Sequence, residues 1–144
     1  MGAIAGLVMI TPSAGFIDMP TSFFFGAVGA LVGRQALRIK FTKLAARLRW
    51  VDNGDSFATH FILGTLGTLA TGLFARKAVA AYDGATEIDG GVFFDGNVKQ
   101  LGVQLLEAVL GMSWSFVGSY IIIAIIDCVP GFEVLAKDEY VTPF

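Results

Sequence analysis

The stretch Asp52-Asn53-Gly54-Asp55-Ser56 and the run that follows it, Phe57–Phe74 (FATHFILGTLGTLATGLF), decide how this chain is read. The first part is a polar turn. The second holds no Asp, Glu, Lys or Arg, and Arg76 and Lys77 close it. An uncharged apolar run of this length forms a helix that reaches across about 30 Å of hydrocarbon. Asp55 stands where an N-cap belongs, a site that offers free backbone N–H groups and favours negative charge. His60, the chain's one histidine, follows about a turn later. Gly64 and Gly67 lie four and seven positions beyond it, so an α-helix would put all three on one face.

Working outward, six of the ten Lys and Arg lie just before this turn: Arg34, Arg38, Lys40, Lys43, Arg47 and Arg49. A second span is expected before them, at about 21–39, with its uncharged core from Ser22 to Gly33. A third is expected at about 101–126, ended by Asp127, Pro130 and Gly131. Between the last two spans lies a polar, glycine-rich loop, Ala78–Gln100. The N-terminal run Gly2–Ile10 is apolar but too short to span, and reads as the last turns of a helix broken at Pro12 and Gly15. The charge asymmetry places loop 40–49 in the cytoplasm; three spans then place the tail, 132–144, there too.

Composition agrees. Of 144 residues 55% are hydrophobic and 15% charged, with mean hydropathy +0.70, whereas soluble domains carry about 25% charged residues. A net charge of −2 argues against a nucleic-acid partner; membrane lipid is the expected surroundings. One cysteine, Cys128, excludes an intrachain disulfide. The eighteen glycines, several inside apolar runs, suit helices that pack backbone to backbone in lipid. The loop acids Asp83, Glu87, Asp89 and Asp95 lack the spacing of a calcium loop. No cofactor, metal or catalytic constellation is expected, and the chain is not read as an enzyme.

His60 is the residue most suggestive of function. A titratable group in a span is costly unless it faces protein or a water-filled path, and histidine exchanges protons near neutral pH. A pore-lining proton or cation site and a packing histidine bonded to a neighbouring carbonyl both fit. Glu107 reads as structural, and Trp114 as packed against another helix.

These segments resemble the ammonium transporter family (ammonium transporter, methylammonium permease and Rhesus type). Gly2-Ala3-Ile4-Ala5-Gly6-Leu7 with Ile10-Thr11-Pro12-Ser13-Ala14-Gly15-Phe16 is similar to "GAIAGL…ITPAAGY". Asp52–His60 resembles "DD..D.FGVH", and Gly64, Gly67, Thr71, Gly72, Phe74 and Ala75 fit "GG..G...TG.FA". Gln100–Leu105 resembles the start of the last helix in fungal members. The match extends to about Gly131. It implies an all-α membrane protein: residues 1–131 would correspond to the C-terminal part, from the end of helix 8 to helix 11, of an eleven-helix fold that assembles as a trimer. It also implies ammonium or ammonia as the transported species. His60 would be the second of two pore histidines, with Asp55, Gly64, Gly67 and Gly72 shaping its surroundings.

Departures accompany the match. The first pore histidine, the aromatic gate and the recruitment residues belong to helices with no counterpart here. Phe61 replaces a glycine beside the pore position, and Pro130-Gly131-Phe132-Glu133-Val134 lacks the arginines of "PGLRLR". The expectation is therefore a partial transporter chain of the plasma membrane that does not conduct alone and needs other transporter subunits or an N-terminal half. The alternative is a small non-conducting subunit that associates with full-length transporters.

Overall fold

The computed structural model describes residues 2–48, 50, 52 and 54–129; the expected tail, 132–144, lies outside them. The described residues are all-helical. The elements are α1 (Gly2–Ile10), α2 (Met19–Ala36), the short α3 (Lys43–Arg47), a π-helical turn (Phe57–Ile62) running into α4 (Leu63–Phe74), α5 (Lys77–Ala80), α6 (Val92–Asp95) and α7 (Val98–Asp127). Contacts divide the chain into two units, Met1–Ala108 and Val109–Phe144.

The first unit is built on glycine. α1 and α2 pair so closely that a Cβ on Gly6 would fall 2.9 Å from the Gly26 carbonyl, and one on Gly33 2.7 Å from the Ala5 methyl. Close backbone approach of this kind is what holds helices together where no hydrophobic force acts between them. Ala5, Met9, Ile17, Phe25 and Leu63 form the buried core, and Phe74 meets Phe25 edge-on at 5.5 Å between ring centroids.

The turn between α1 and α2 explains why the N-terminal run stops where it does. Pro12 begins a 3₁₀ turn (Thr11–Ser13), and Gly15 takes a left-handed φ of 86°. Asp18 then caps α2, its carboxylate accepting from the Thr21 N–H at 3.1 Å. Hydrogen bonding from Thr21, aided by the Arg76 guanidinium, holds the Asp18 carboxyl below the usual range.

Arg76 ties the far end of α4 to this turn. It pairs with Asp18 at 3.0 Å, donates its backbone N–H to the Phe16 carbonyl at 2.8 Å, and lies 3.5 Å over the Phe94 ring. Beside it, Ser13 and Thr71 share a buried hydroxyl–hydroxyl bond of 2.7 Å. Thr71 donates its one proton to the Gly67 carbonyl at 2.9 Å, so Ser13 is the donor to Thr71. The two deletions are therefore unequal. Thr71→Val strands the fully buried Ser13 hydroxyl and is expected to cost about 1–3 kcal/mol. Ser13→Ala leaves Thr71 bonded to Gly67 and is expected to cost about 1 kcal/mol or less. Unfolding of the purified variants in detergent checks the order.

Among the described residues two helices are long and apolar enough to cross a membrane: Phe57–Phe74, with mean hydropathy 1.4, and Val98–Asp127, with 2.0. The expected span at 21–39 falls on α2, which stops at Ala36 and gives way to a 3₁₀ turn at Ile39–Phe41. α7 buries no residue, and Trp114, expected to pack on another helix, is 82% exposed. The acids of loop 78–100 are used locally. Asp95 accepts from the Lys77 N–H, and Asp83 accepts from the Thr86 hydroxyl and the Thr86 and Ala85 N–H groups. These bonds, led by the Thr86 hydroxyl, hold the Asp83 carboxyl down to about 2.

Candidate functional site

The site is built on the start of the expected span at 57–74. There the cap differs from expectation in identity. Asp52, not Asp55, receives the free N–H groups: Oδ1 accepts from Ser56 at 2.9 Å and Oδ2 from Phe57 at 3.2 Å. Asp55 takes a left-handed φ of 54°, unusual for a residue other than glycine. This conformation turns its carboxylate away from the helix end and onto Lys40, at 2.7 Å. Its backbone carbonyl starts the helix, accepting from both the N–H (2.9 Å) and the hydroxyl (2.7 Å) of Thr59.

The first turns then wind as π-helix over Phe57–Ile62. A π turn takes more residues than an α turn, and such turns occur often at functional sites. It also changes which side chains share a face. His60 is exposed and forms no side-chain hydrogen bond among the described residues. Gly64 has open space where a Cβ would stand. Gly67 is buried, with a Cβ position 2.3 Å from the Met9 carbonyl. The single face expected for His60, Gly64 and Gly67 is thus divided between an open side, with His60, and a packed side, with Gly67. The π winding ends at Ile62 and shifts His60 relative to Gly67 by only a fraction of a turn; Gly67 is packed because the Met9 carbonyl of α1 lies against it.

Phe61, beside His60, stacks on Phe57 at 4.8 Å, and Phe57 meets Trp50 edge-on at 4.4 Å. The added bulk is thus held in an aromatic row that leads to the connector before the helix. Gly72 sits at the other end of α4 against the first turns of α7, its Cβ position 2.8 Å from the Leu101 Cα. Among the described residues no group of His, Cys, Asp or Glu is arranged to hold a metal. Of the residues singled out beforehand, Gly67 and Gly72 are close-packing positions, Asp55 is an ion-pair partner, and His60 is the titratable group on the open side. Sequence reasoning missed the Lys40–Asp55 pair and the capping role of Asp52.

A model of the Ammonium Transporter Family matches residues 1–143. Ammonium transporter 2 of Schizosaccharomyces pombe is 37% identical over 133 residues, which are 90% of this chain and 25% of that protein. Ammonium transporter Amt1 of Archaeoglobus fulgidus is 31% identical over 140 residues, 97% of this chain and 32% of its own length. Among solved structures, Mep2 of Candida albicans matches with a TM-score of 0.80 and 41% identity, covering 96% of this chain and 29% of that one. The chain therefore spans about a quarter to a third of the length of the relatives it matches. The match over residues 1–143, with the identity to relatives covered along nearly all of this chain, places it in the ammonium transporter family.

Proposed function

We propose that this chain supplies the His60-bearing wall of an ammonium transport path in the plasma membrane. Members of its family are membrane proteins, and relatives matched over nearly all of it are named ammonium transporters. The observation that carries the reading is His60 itself. It is exposed on a helix that is packed through Gly67 against α1 and through Gly72 against the first turns of α7, so a titratable ring is presented by a fixed backbone. His60 exchanges a proton with the passing ammonium or ammonia, as one member of a histidine pair. Asp55 holds the helix start through Lys40; Gly64 leaves room near His60; Gly67 and Gly72 set the helix spacing. Loop 40–49 and the tail face the cytoplasm.

The 144-residue chain taken by itself does not conduct. Large apolar side chains on its open faces, among them Leu7, Phe23 and Leu31, are suited to helices of another chain or to lipid. A trimer, a pairing with other transporter subunits, or a pairing with an N-terminal half would supply such helices. Growth on limiting ammonium of a host lacking its own ammonium transporters tests this. Expression of this chain alone is expected to leave growth at the host's background. Robust rescue would overturn the non-conducting reading. Co-purification with a full-length transporter, without a change in its uptake, would favour the accessory-subunit reading, which the exposed apolar faces also suit.

A further inference from the structure

Two aspartates stand at the start of the His60 helix, and a residue from a different element tells them apart. Asp52 takes the free N–H groups of Ser56 and Phe57. Asp55 is the one residue other than glycine, among those described, with a positive φ. A Cβ makes left-handed backbone unfavourable, and such a conformation persists only where its surroundings hold it. Within the turn, the Asp55 N–H meets the Asp52 carbonyl at 3.4 Å, a long bond. The short contact comes from Lys40, whose Nζ donates to Oδ1 at 2.7 Å, with the two side chains only 30% and 15% exposed. Lys40 has a fixed base. It lies in the 3₁₀ turn Ile39–Phe41, which is closed by the Phe41 N–H on the Arg38 carbonyl and the Thr42 N–H on that of Ile39. The turn follows α2, which is seated on α1 through Gly29 and Gly33.

From Asp55 the chain of contacts runs on to His60. The Asp55 carbonyl accepts two bonds from Thr59, a buried residue that immediately precedes His60. The His60 carbonyl accepts from the N–H of Leu63, whose side chain is fully buried. His60 thus sits inside the π winding between two anchored residues, and its direction follows from where that winding begins. An unpaired Asp55 carboxylate has another use, since aspartate is a favoured helix cap. Released from Lys40, it would leave the left-handed region, bond the helix N–H groups in place of Asp52, and rotate the first turn by a fraction of a turn. We propose that Lys40 is a positioning residue for His60, acting through Asp55: the ion pair pins the turn from which the π winding starts and so sets how the ring is presented. Its functional meaning rests on the reading of His60 as part of the transport path; the positioning itself is measured without transport.

His60 is the only histidine, so the full chain, purified in detergent without a histidine tag and labelled with 13C-histidine, gives a single ring resonance by NMR. Spectra are taken about two units above the ordinary histidine pKa, to keep ring protonation out of the comparison. Lys40→Gln and Asp55→Asn are expected to shift the resonance to one common position, because each frees the same turn. A direct field of the lost charges on the ring would shift it in opposite senses, since one variant removes a positive charge and the other a negative one. The double variant should shift it no further than either single variant, the mark of one shared interaction. Lys40→Arg should keep the original position. An unmoved resonance in Lys40→Gln, opposite shifts in the two single variants, or additive shifts in the double one would each overturn the positioning role. If Lys40→Gln loses its helical circular dichroism, Asp55→Asn decides, because asparagine tolerates left-handed backbone and only the charge is removed; an unmoved resonance there would count against the role. Failure of this test leaves the transport reading to be judged by His60→Ala, and failure of that reading leaves the shift standing.

Discussion

Gly67→Ala is expected to destabilise the purified chain by about 2–3 kcal/mol, the range of an overpacked core with no slack. The added Cβ would stand 2.3 Å from the Met9 carbonyl, 3.1 Å from its carbon and 3.2 Å from Pro12 Cδ. The nearest of these atoms are backbone, so no rotamer change relieves the clash; α1 must move away from α4. Such a shift also strains the Ser13–Thr71 bond one turn along. Gly64→Ala provides the control. Nothing stands within 4 Å of that Cβ position, so its effect should stay within about 0.5 kcal/mol. Thermal or denaturant unfolding in detergent reads both. Equal midpoints for the two variants would show that α1 and α4 are not in the contact described.

The second large effect concerns His60 and needs a conducting context. A chimera in which residues 2–129 replace the matching segment of Candida albicans Mep2, a protein 41% identical here, supplies one. If His60 carries protons along the path, His60→Ala should lower uptake of labelled methylammonium by on the order of a hundredfold, the lower range for a positioned proton carrier. Protein level at the membrane should be unchanged, because His60 is exposed and makes no side-chain hydrogen bond among the described residues. Loss of the chimera from the membrane would instead assign His60 a packing role. Unchanged uptake would remove it from the path.

Much of the fold was legible in the sequence, and the reasons for the rest can be named. The helices follow from long uncharged runs with charges at their ends, which is why the expected spans overlap α2, the π turn with α4, and α7. Asp55 was misassigned as the cap because two aspartates three residues apart are equivalent on local grounds. What separates them is Lys40, fifteen residues away, which pairs with the carboxylate of Asp55 in its left-handed conformation. The division of the His60 face was not legible either. No composition signal marks a π turn, and no local pattern shows that α1 covers Gly67 and leaves His60 exposed. Gly64 and Gly67 likewise look alike in sequence. Only the position of the Met9 carbonyl, set by the Pro12 turn, makes one replaceable and the other not.

The fastenings of α4 also limit how this part of the molecule can move. One end of the helix is tied to the α1–α2 turn by Ser13–Thr71 and by Arg76 with Asp18 and Phe16. The other is held by Asp55 on Lys40. A rod pinned at both ends against a neighbouring hairpin can neither slide nor screw along its axis without breaking a bond at each end together. The three helices would therefore exchange their amide protons as one cooperative block, with a single shared opening rate. If His60 lines a transport path, any gating there then falls to the fastest degrees of freedom left, the χ rotations of the exposed His60 ring. Those operate on a timescale of nanoseconds or less, and not through the microsecond-to-millisecond displacement of a helix.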